Sequence, residues 1–489
     1  MKGFIVAGTK SGIGKTTITM GLMKNFKNAS PFKIGPDYID GRFHEYATGN
    51  KSFNLDYFLM GEDGIKYSFF KNKKDISIIE GVMGLYDGLG DSLDNGSTAH
   101  ISKILGIPII LVVDGEKRST SIAAEILGYK LFDKEINIVG VILNKVVSEK
   151  SYKLLKESIE KYTGISCLGY LPPIKDLKFE ERHLGLVQAQ EDKNLDEKLN
   201  ILGEKIKETI DIKKIEELSE IIPRTKNNIS DILIKKDILV EQEFENIEKN
   251  FLKDSLKEKY KNIKIGIAKD EAFSFYYNDN IEFLENINVE IKYFSPLKDE
   301  KIPEDIDFLY FGGGYPENYG KILEKNISMI NSIREFSQNG GVIYGECGGY
   351  IYLSKELEDL NGNKFNFVGL NDRKFKMKNR LNIGRFGYIN VETTLDNKKI
   401  IFPAHEFHYS EEIDEEQEGV FKISKKDGRT WENGYFSKNI LCGYPHIHFF
   451  TSEDLIFDLL DRAKDYQERK NKFNFKDLFS FGNFRKGKK

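Results

Sequence analysis

The sequence predicts an α/β protein of two domains, the first built on a parallel sheet with a phosphate-binding loop. Its 489 residues are too many for one ordinary core, so we expect two domains of about 200 residues each. Short β-branched runs alternate with helix-length segments in the first half, and the same alternation resumes in the second half. This alternation is typical of parallel sheets with helices on both faces.

The first domain is predicted to span residues 1–225 and to be followed by a linker region, 226–261. Gly, Pro, Asp or Asn bound its apolar runs, as expected of strands. The linker region is rich in Lys, Glu, Asp and Asn and has little strand signal. The predicted strands are Phe4–Ala7, Ile76–Ile79, Ile107–Val113 and Ile138–Leu143, and the predicted helices are Lys15–Phe26 and Ser119–Leu131.

The second α/β domain is predicted over residues 262–458. The remaining residues, 459–489, are basic and are predicted to form a solvated tail or a terminal helix. The predicted strands are Ile263–Ala268, Val289–Phe294, Phe308–Phe311 and Val342–Tyr344, and the predicted helices are Ile281–Glu285 and Ile327–Gln338.

Composition excludes several classes of function. The net charge of -4 is small for this length and gives no reason to expect a nucleic-acid partner. No run of about 18 apolar residues occurs, so no membrane span is predicted. The cysteines, Cys167, Cys347 and Cys442, are few and widely spaced. That usage argues against a disulfide framework and for a reducing, cytoplasmic location.

A glycine-rich loop, G-T-K-S-G-I-G-K-T-T, occupies Gly8–Thr17 between the first strand and the first helix. Backbone N–H groups of such a loop and the positive end of the helix bind phosphate oxygens. Lys15 would reach the terminal phosphates and the Thr16 hydroxyl would bind Mg²⁺. The usual spacing requires glycine at Thr9, whereas Gly8 comes one residue earlier. The residues predicted to bind the nucleotide in this loop are Gly12, Gly14, Lys15, Thr16 and Thr17.

Polar residues follow other strands of the first domain. Glu80 ends a strand and Asp87 follows soon after, so both are expected at the ligand edge of the sheet with Mg²⁺. Asp37 and Asp40, in G-P-D-Y-I-D, are candidates for metal or substrate binding. Asn144 closes a strand, where it would contact an adenine edge or simply end the strand.

The second candidate site is a cysteine, Cys347, in Y-G-E-C-G-G-Y. The glycines around it permit the sharp turn of a nucleophile elbow. The N–H of Gly348 would stabilise an oxyanion, with a second N–H from Gly314 in the triple glycine after the neighbouring strand. His446 is the best candidate for the base. For the pair in A-H-E-F-H-Y-S, His405 and His408, structural roles and support of the active site both stay open.

Together these motifs resemble those of the cobyrinic acid a,c-diamide synthases, a family that joins an ATP-dependent amidoligase to a class I-type glutaminase. The resemblance extends from Gly8 to about Phe450. The longer loop is shared with the related dethiobiotin synthetases. The motifs that carry the resemblance are Gly8–Thr17, Lys33–Asp40, Asn54–Asp56, Glu80–Gly88, Gly96–Ala99, Glu181–Leu186, Gly312–Glu317, Gly345–Tyr350, His405–Ser410 and the pair His446 and His448.

The resemblance implies a second domain of the class I glutamine amidotransferase, flavodoxin-like type. It implies that Cys347 attacks glutamine and releases ammonia, with His446 as base and acid. ATP with Mg²⁺ would phosphorylate the a and c acetate carboxylates of cobyrinate, a corrinoid, and ammonia would displace the phosphate in cobalamin biosynthesis. Asp37, Tyr38 and Ile39 match the family segment near the substrate. A homodimer stays open.

Two departures from the family pattern and two alternatives remain. Lys10 stands where a small polar residue is usual, and either adds a phosphate contact or is neutral. His448 stands where many class I glutaminases have the Glu that orients the catalytic His. The same motifs fit a,c-diamidation of nickel-sirohydrochlorin in coenzyme F430 biosynthesis. Lys10, five residues before Lys15, also stands where partitioning-type ATPases have their signature lysine. A further alternative is therefore such an ATPase with a second domain that is not catalytic.

Overall fold

The computed structural model describes residues 1–175, 177, 179, 189–221, 244–249, 251–413 and 418–482. The motif Glu181–Leu186 and the boundary predicted at 225 lie outside these ranges. The chain divides into two compact units, Met1–Asn250 and Phe251–Lys489.

The described part of the first unit forms a seven-stranded parallel sheet in the order β3-β2-β4-β1-β5-β6-β7. Its strands are β1 (Gly3–Gly8), β2 (Ala29–Ile34), β3 (Phe53–Leu55), β4 (Ile76–Glu80), β5 (Ile109–Asp114), β6 (Ile138–Asn144) and β7 (Ser166–Leu171). Its helices are α1 (Lys15–Met23), α2 (Ile39–Thr48), α3 (Tyr57–Asn72), α4 (Thr98–Leu105), α5 (Ser121–Phe132), α6 (Glu149–Thr163), α7 (Leu195–Thr209), α8 (Ile212–Leu218) and the helical residues 244–249 (α9).

The centre of this sheet positions the candidate nucleotide site. β1 lies between β4 and β5, and every residue of β1 and β4 is buried, as their β-branched runs predict. The loop after β1 and the carboxyl end of β4 therefore meet at one edge of the sheet, where open α/β sheets bind ligands.

The second unit combines a mostly parallel six-stranded sheet, order β20-β21-β11-β10-β8-β9, with two smaller sheets in the described residues. The larger of these is antiparallel, in the order β19-β18-β15-β16-β22, and the other has the order β13-β12-β14-β17. The strands of the six-stranded sheet are β8 (Lys264–Ala268), β9 (Glu290–Phe294), β10 (Phe308–Phe311), β11 (Val342–Glu346), β20 (Tyr435–Ser437) and β21 (Ile440–Gly443). The other strands are β12 (Glu356–Glu358), β13 (Lys364–Asn366), β14 (Lys374–Met377), β15 (Gly387–Leu395), β16 (Lys398–Glu406), β17 (Ser410–Glu412), β18 (Phe421–Ser424), β19 (Thr430–Asn433) and β22 (His446–Ile447).

The helices of the second unit lie around its six-stranded sheet and at its chain end. They are α10 (Asp254–Tyr260), α11 (Asn278–Asn286), α12 (Gly320–Lys325), α13 (Ile327–Gln338), α14 (Gly348–Leu353) and α15 (Glu453–Gly482). α15 runs through the boundary that the sequence placed at 458. Leu459, Leu460, Ala463 and Tyr466 are buried, which shows that this helix belongs to the packed unit for about two turns beyond that boundary.

The α/β class predicted for both halves is confirmed, with differences at the ends of elements. α1 ends at Met23 instead of Phe26, and several strands are one or two residues shorter or longer than predicted. The strands of the two smaller sheets were not predicted. In the described residues, no helix combines the length and apolar character that crossing a membrane requires.

Candidate active sites

The glycine-rich loop places the Lys15 ammonium at the centre of the first site. Lys15 Nζ donates to the carbonyl oxygens of Met83, at 2.6 Å, and Lys10, at 3.5 Å. Burial and the neighbouring Lys33 lower the pKa of Lys15 to about 8. The ammonium is therefore held by carbonyl oxygens. Phosphate oxygens carry more negative charge than these carbonyl oxygens and would replace them as partners of Lys15.

Two loop residues need glycine. Gly12 and Gly14 have φ angles of 69° and 95°, in the left-handed region. A Cβ at Gly14 would lie 2.2 Å from Nδ2 of Asn144, which donates to the carbonyl oxygen of Ile13 at 2.8 Å. Asn144 thus supports the loop backbone, a role that its place at a strand end did not reveal. Thr17 is half-buried in the first turn of α1.

A buried carboxylate, Glu80, connects the loop to the sheet. Thr16 Oγ1 donates to Glu80 Oε1 at 2.5 Å, and Lys33 Nζ lies 3.0 Å from the same oxygen. His44 Nε2 lies 2.6 Å from Glu80 Oε2. Burial alone would raise the pKa of Glu80, but Lys33 and His44 hold it well below its usual range.

Lys33 also binds a second carboxylate, Asp40. Their charged atoms lie 2.6 Å apart, and both side chains are largely buried. Burial and the nearby Asp37 raise the pKa of Asp40 to about 7, whereas Asp40 and Glu80 outweigh burial and raise the pKa of Lys33. The first site therefore holds two cations over a set of carboxylates, an arrangement suited to a polyanion with a bound cation.

The other predicted residues of the first site lie in local turns. Asp87 Oδ2 accepts the N–H of Gly84 at 2.9 Å, and its charge acts on Lys15. Asp37 Oδ1 accepts the N–H groups of Ile39 and Asp40 at 2.7 and 3.1 Å and so caps the start of α2, directly after Tyr38. No group of three or more His, Cys, Asp or Glu side chains in the described ranges is arranged to hold a metal.

Cys347 forms the sharp turn between β11 and α14. Its φ and ψ are 48° and −101°, a conformation that costs about 1–3 kcal/mol for a residue with a side chain. Its N–H donates to the carbonyl oxygen of Gly443 at 2.8 Å, which fixes the turn against β21. A Cβ at Gly349 would lie 2.3 Å from the carbonyl oxygen of Phe311, so the elbow packs too closely for a larger residue.

The two predicted oxyanion donors border this turn. A Cβ at Gly348 would lie 2.9 Å from the backbone nitrogen of Gly314, so the two amides are neighbours. Gly314 has a φ of 156°, and a Cβ there would meet the carbonyl oxygen of Ala272 at 2.0 Å. The N–H of Gly348 acts on the Cys347 thiol and partly lowers its pKa. The two amides that the sequence predicts as oxyanion donors therefore lie close to each other, next to the Cys347 turn.

The thiol and the candidate base are both held neutral. Burial, with Glu317 and Glu406, raises the pKa of Cys347 far above its usual range. Burial, with His405 and His408, lowers the pKa of His446 to about 3. A buried neutral thiol is a weak nucleophile, so the reaction requires a proton acceptor at the site.

The second histidine pair has two different environments. His408 lies between Glu406 Oε1, at 2.7 Å from Nε2, and the carbonyl oxygen of Ser410, at 2.6 Å from Nδ1, and it stacks on Tyr444. His405 is paired with His446 across the β16–β22 ladder. His408 is therefore held firmly between β16 and β17, whereas His405 is the ladder partner of the candidate base.

Four buried residues of these sites had no role in the sequence prediction: Lys33, His44, Glu346 and Glu406. Lys33, Glu346 and Glu406 lie inside the motifs that carry the family resemblance, so their motif positions were an available signal. His44 meets Glu80 only through the fold, and no local pattern indicated that contact.

Comparisons with known proteins match both units. Residues 4–187 match the model of the CobQ/CobB/MinD/ParA nucleotide binding domain, and residues 264–454 match that of the CobB/CobQ-like glutamine amidotransferase domain. A cobyrinate a,c-diamide synthase of Fusobacterium nucleatum subsp. nucleatum is 53% identical over 93% of this chain and 99% of its own length. Its counterpart in Caldanaerobacter subterraneus subsp. tengcongensis is 42% identical over 95% and 98%.

Proposed function

The chain belongs to the family of the cobyrinate a,c-diamide synthases, and we propose that it amidates the a and c acetate carboxylates of cobyrinate with ammonia from glutamine. It is a glutamine-dependent, amide-forming ligase with a nucleotide-binding domain and a glutamine amidotransferase domain, so the family and the class of activity predicted from its motifs are confirmed. The observation that carries the proposal is the joint presence of the Lys15 site and the Cys347 elbow on one chain.

The first unit would activate the carboxylate. A carboxylate is a poor electrophile, and transfer of the ATP γ-phosphoryl group to one of its oxygens gives an acyl phosphate with a good leaving group. Lys15, over the loop, would stabilise charge on the transferred phosphoryl group. Lys33 lies beside it and would neutralise phosphate or carboxylate oxygens. Asp37, Tyr38 and Ile39, at the start of α2, would lie along the substrate.

Mg²⁺ would bind at the Thr16 and Glu80 side of this site. Their oxygens lie 2.5 Å apart, and Mg²⁺ commonly takes one or two protein oxygens together with phosphate oxygens and water. The residues present fit the ion in this way, because they offer a hydroxyl and a carboxylate rather than a closed cage. Asp87, held in its turn by the Gly84 N–H, would act on the ion through its negative charge. The ion would neutralise charge on the phosphates.

The second unit would release ammonia from glutamine. His446 takes the proton of the Cys347 thiol as the sulfur attacks the side-chain carbonyl, and the N–H groups of Gly348 and Gly314 bind the resulting oxyanion. The amide nitrogen leaves with a proton from His446. Water then adds to the thioester, and glutamate leaves the sulfur. Ammonia attacks the acyl phosphate and displaces phosphate.

The test uses glutamine labelled with ¹⁵N at its side-chain amide. With ATP and cobyrinate, we expect two labelled nitrogens per product, and with Cys347→Ala we expect none, although ammonium still supports amidation. The same assay with nickel-sirohydrochlorin tests the alternative macrocycle, which the curated relatives do not favour. Absence of labelled product with both macrocycles, despite ATP hydrolysis, would instead support a partitioning-type ATPase. The homodimer and the cytoplasmic location stay predictions.

A further inference from the structure

Glu346, the residue directly before the nucleophile, is a buried carboxylate with no role in the chemistry above. It ends β11 and is 2% exposed. Its Oε1 has no hydrogen-bond partner among the described residues. Burying a carboxyl group costs free energy unless it is paired, so a buried glutamate beside a catalytic residue needs an explanation.

The fold holds Glu346 against the strand that carries His446. Glu346 is paired with Gly443 in the β11–β21 ladder, and the next residue, Cys347, donates its N–H to the Gly443 carbonyl oxygen. Glu346 Oε2 lies 3.8 Å from His446 Nδ1. The backbone N–H of Ile447, next to His446, also acts on the Glu346 carboxyl. The Glu346 carboxylate, at the end of β11 directly before Cys347, thus lies beside β22, the strand that carries His446.

A base at this site needs its imidazole fixed in one tautomer. To take the thiol proton at Nε2, His446 must carry its own proton on Nδ1, and an acceptor beside Nδ1 selects that form. The position two residues after His446 holds His448, which lies 3.9 Å from Asp279 and offers no carboxylate of its own. Glu346 is the carboxylate beside Nδ1.

We propose that Glu346 is the positioning residue of the glutaminase site, orienting His446 by accepting its Nδ1–H and stabilising the imidazolium that forms when Cys347 loses its proton. This inference rests on the proposed glutaminase function. The distance of 3.8 Å shortens to a hydrogen bond with about 1 Å of movement, which the charge on the imidazolium favours. The proton passes only from Sγ to Nε2, and Glu346 stays ionised throughout.

Ionisation of Glu346 gives the proposal a pH signature. Burial raises its pKa to about 8, against the partial effect of Tyr344, Tyr310 and the Ile447 N–H. The other titratable groups around it lie outside this range, because burial raises the pKa values of Tyr276, Tyr310, Tyr344 and Cys347 and lowers that of His446. The glutaminase kcat should therefore rise as the pH increases through about 8.

The experiment measures glutamine hydrolysis by the full chain without ATP or cobyrinate, so that Lys15 does not contribute. Glu346→Gln is expected to lower kcat about 10²-fold, to leave KM for glutamine within about twofold, and to lose the rise near pH 8. Asp279→Asn is the matched control, because it removes another buried carboxylate, which faces the neighbouring His448. It should keep kcat within about threefold and keep the pH profile.

Several results would overturn the inference. A folded Glu346→Gln with the wild-type kcat and pH profile would exclude a positioning role, and so would equal losses in Glu346→Gln and Asp279→Asn. Should Glu346→Gln not fold, Glu346→Asp replaces it: we expect a lowered kcat with the rise near pH 8 retained, and a wild-type kcat would refute the proposal. A wild type that cannot hydrolyse glutamine at all would instead refute the proposed function.

Discussion

Gly313 lies directly against the His446 imidazole: a Cβ at residue 313 would come within 2.4 Å of Cε1 and 3.3 Å of Nδ1. His446 is 1% exposed and is paired with His405 in the β16–β22 ladder, so it has little room to retreat. The triple glycine therefore serves two purposes. In the proposed mechanism Gly314 would offer an amide to the oxyanion, and the absence of a side chain at Gly313 leaves space for the His446 imidazole.

Gly313→Ala should impair the glutaminase without affecting the synthetase. Because a displacement of about 1 Å costs on the order of 10²-fold in rate, we expect glutamine-dependent amidation to fall by about that factor. Amidation with ammonium should persist. Gly128→Ala, at a helical position where a Cβ meets nothing within 4 Å, is the control and should leave both rates unchanged. Equal rates in Gly313→Ala and wild type would show that the imidazole adapts.

Binding of MgATP should be coupled to proton uptake at pH 8. The pKa of Lys15 is lowered to about 8, so about half of the free enzyme carries a neutral amine there. Phosphate oxygens favour the ammonium and raise its pKa, so the affinity for MgATP must fall as the pH rises above 8. Titration calorimetry in buffers of different ionisation enthalpy measures the uptake, which we expect to be about half a proton.

Asp40 is the control for this experiment, because burial raises its pKa to about 7 and it also titrates near neutrality. Asp40→Asn should retain or increase the uptake, because the Asp40 charge raises the pKa of Lys15 and its loss leaves more neutral amine at pH 8. Disappearance of the uptake in Asp40→Asn would assign it to Asp40 and contradict the prediction for Lys15.

Lys33→Met should destabilise the first unit strongly. The substitution leaves Glu80 and Asp40 buried without the cation that they share, and removing one partner of a buried ion pair costs about 3–5 kcal/mol. Hydrogen exchange at amides of β4 measures the loss, because a chain of two units need not unfold in one step.

An exposed ion pair provides the matched control for Lys33. Lys2 and Glu216 are paired at 2.6 Å, but both side chains are about half exposed. Lys2→Met should therefore change the stability of the same unit by less than about 1 kcal/mol. If both substitutions had the same effect on stability, the buried ion pairs of Lys33 would stabilise the unit no more than an exposed pair does.

The limits of prediction follow from which contacts are local in sequence. β10 and α13 have the bounds that their apolar patterns predicted, and β1 differs by one residue at each end. These elements were predictable because their buried positions appear in the sequence as apolar residues at strand or helix spacing. The Cys347 turn and the Lys15 loop were also predicted, because glycine spacing encodes them. The contacts of Glu80 with Lys33 and His44 join residues that are far apart in sequence. The spacing of apolar residues does not show which strands become neighbours, so these contacts could not be predicted.

The antiparallel strands show a second limit. β15 and β16 each span nine residues, and polar residues such as Thr393 and Glu406 occupy buried positions where an alternating strand would have apolar ones. Glu406 Oε1 lies 2.7 Å from His408 Nε2, and Thr393 Oγ1 donates to the carbonyl oxygen of Val420 at 3.0 Å, so these polar contacts inside the fold weaken the apolar pattern that would have indicated two strands. The same reasoning explains why Glu346 was missed, since it occupies a core position of a strand as a charged residue.

The strained backbone of Cys347 should make a glycine at this position more stable than an alanine. Because Cys347 has a positive φ of 48° and ψ of −101°, glycine fits this turn better than any residue with a Cβ. Cys347→Gly should therefore be more stable than Cys347→Ala, by about 1 kcal/mol, since relief of about 1–3 kcal/mol of strain exceeds the entropy that glycine loses on folding. Both variants lack the thiol, so the comparison isolates the backbone. Thermal unfolding of the second unit measures the difference.

The control is an exchange of alanine for glycine in an ordinary helix, Ala123→Gly in α5. It should have the opposite effect and destabilise the first unit, because glycine is unfavourable inside a helix. Greater stability of Cys347→Ala would mean that the turn stores no strain, and that the surrounding β11 and α14 backbone accommodates a Cβ at no cost.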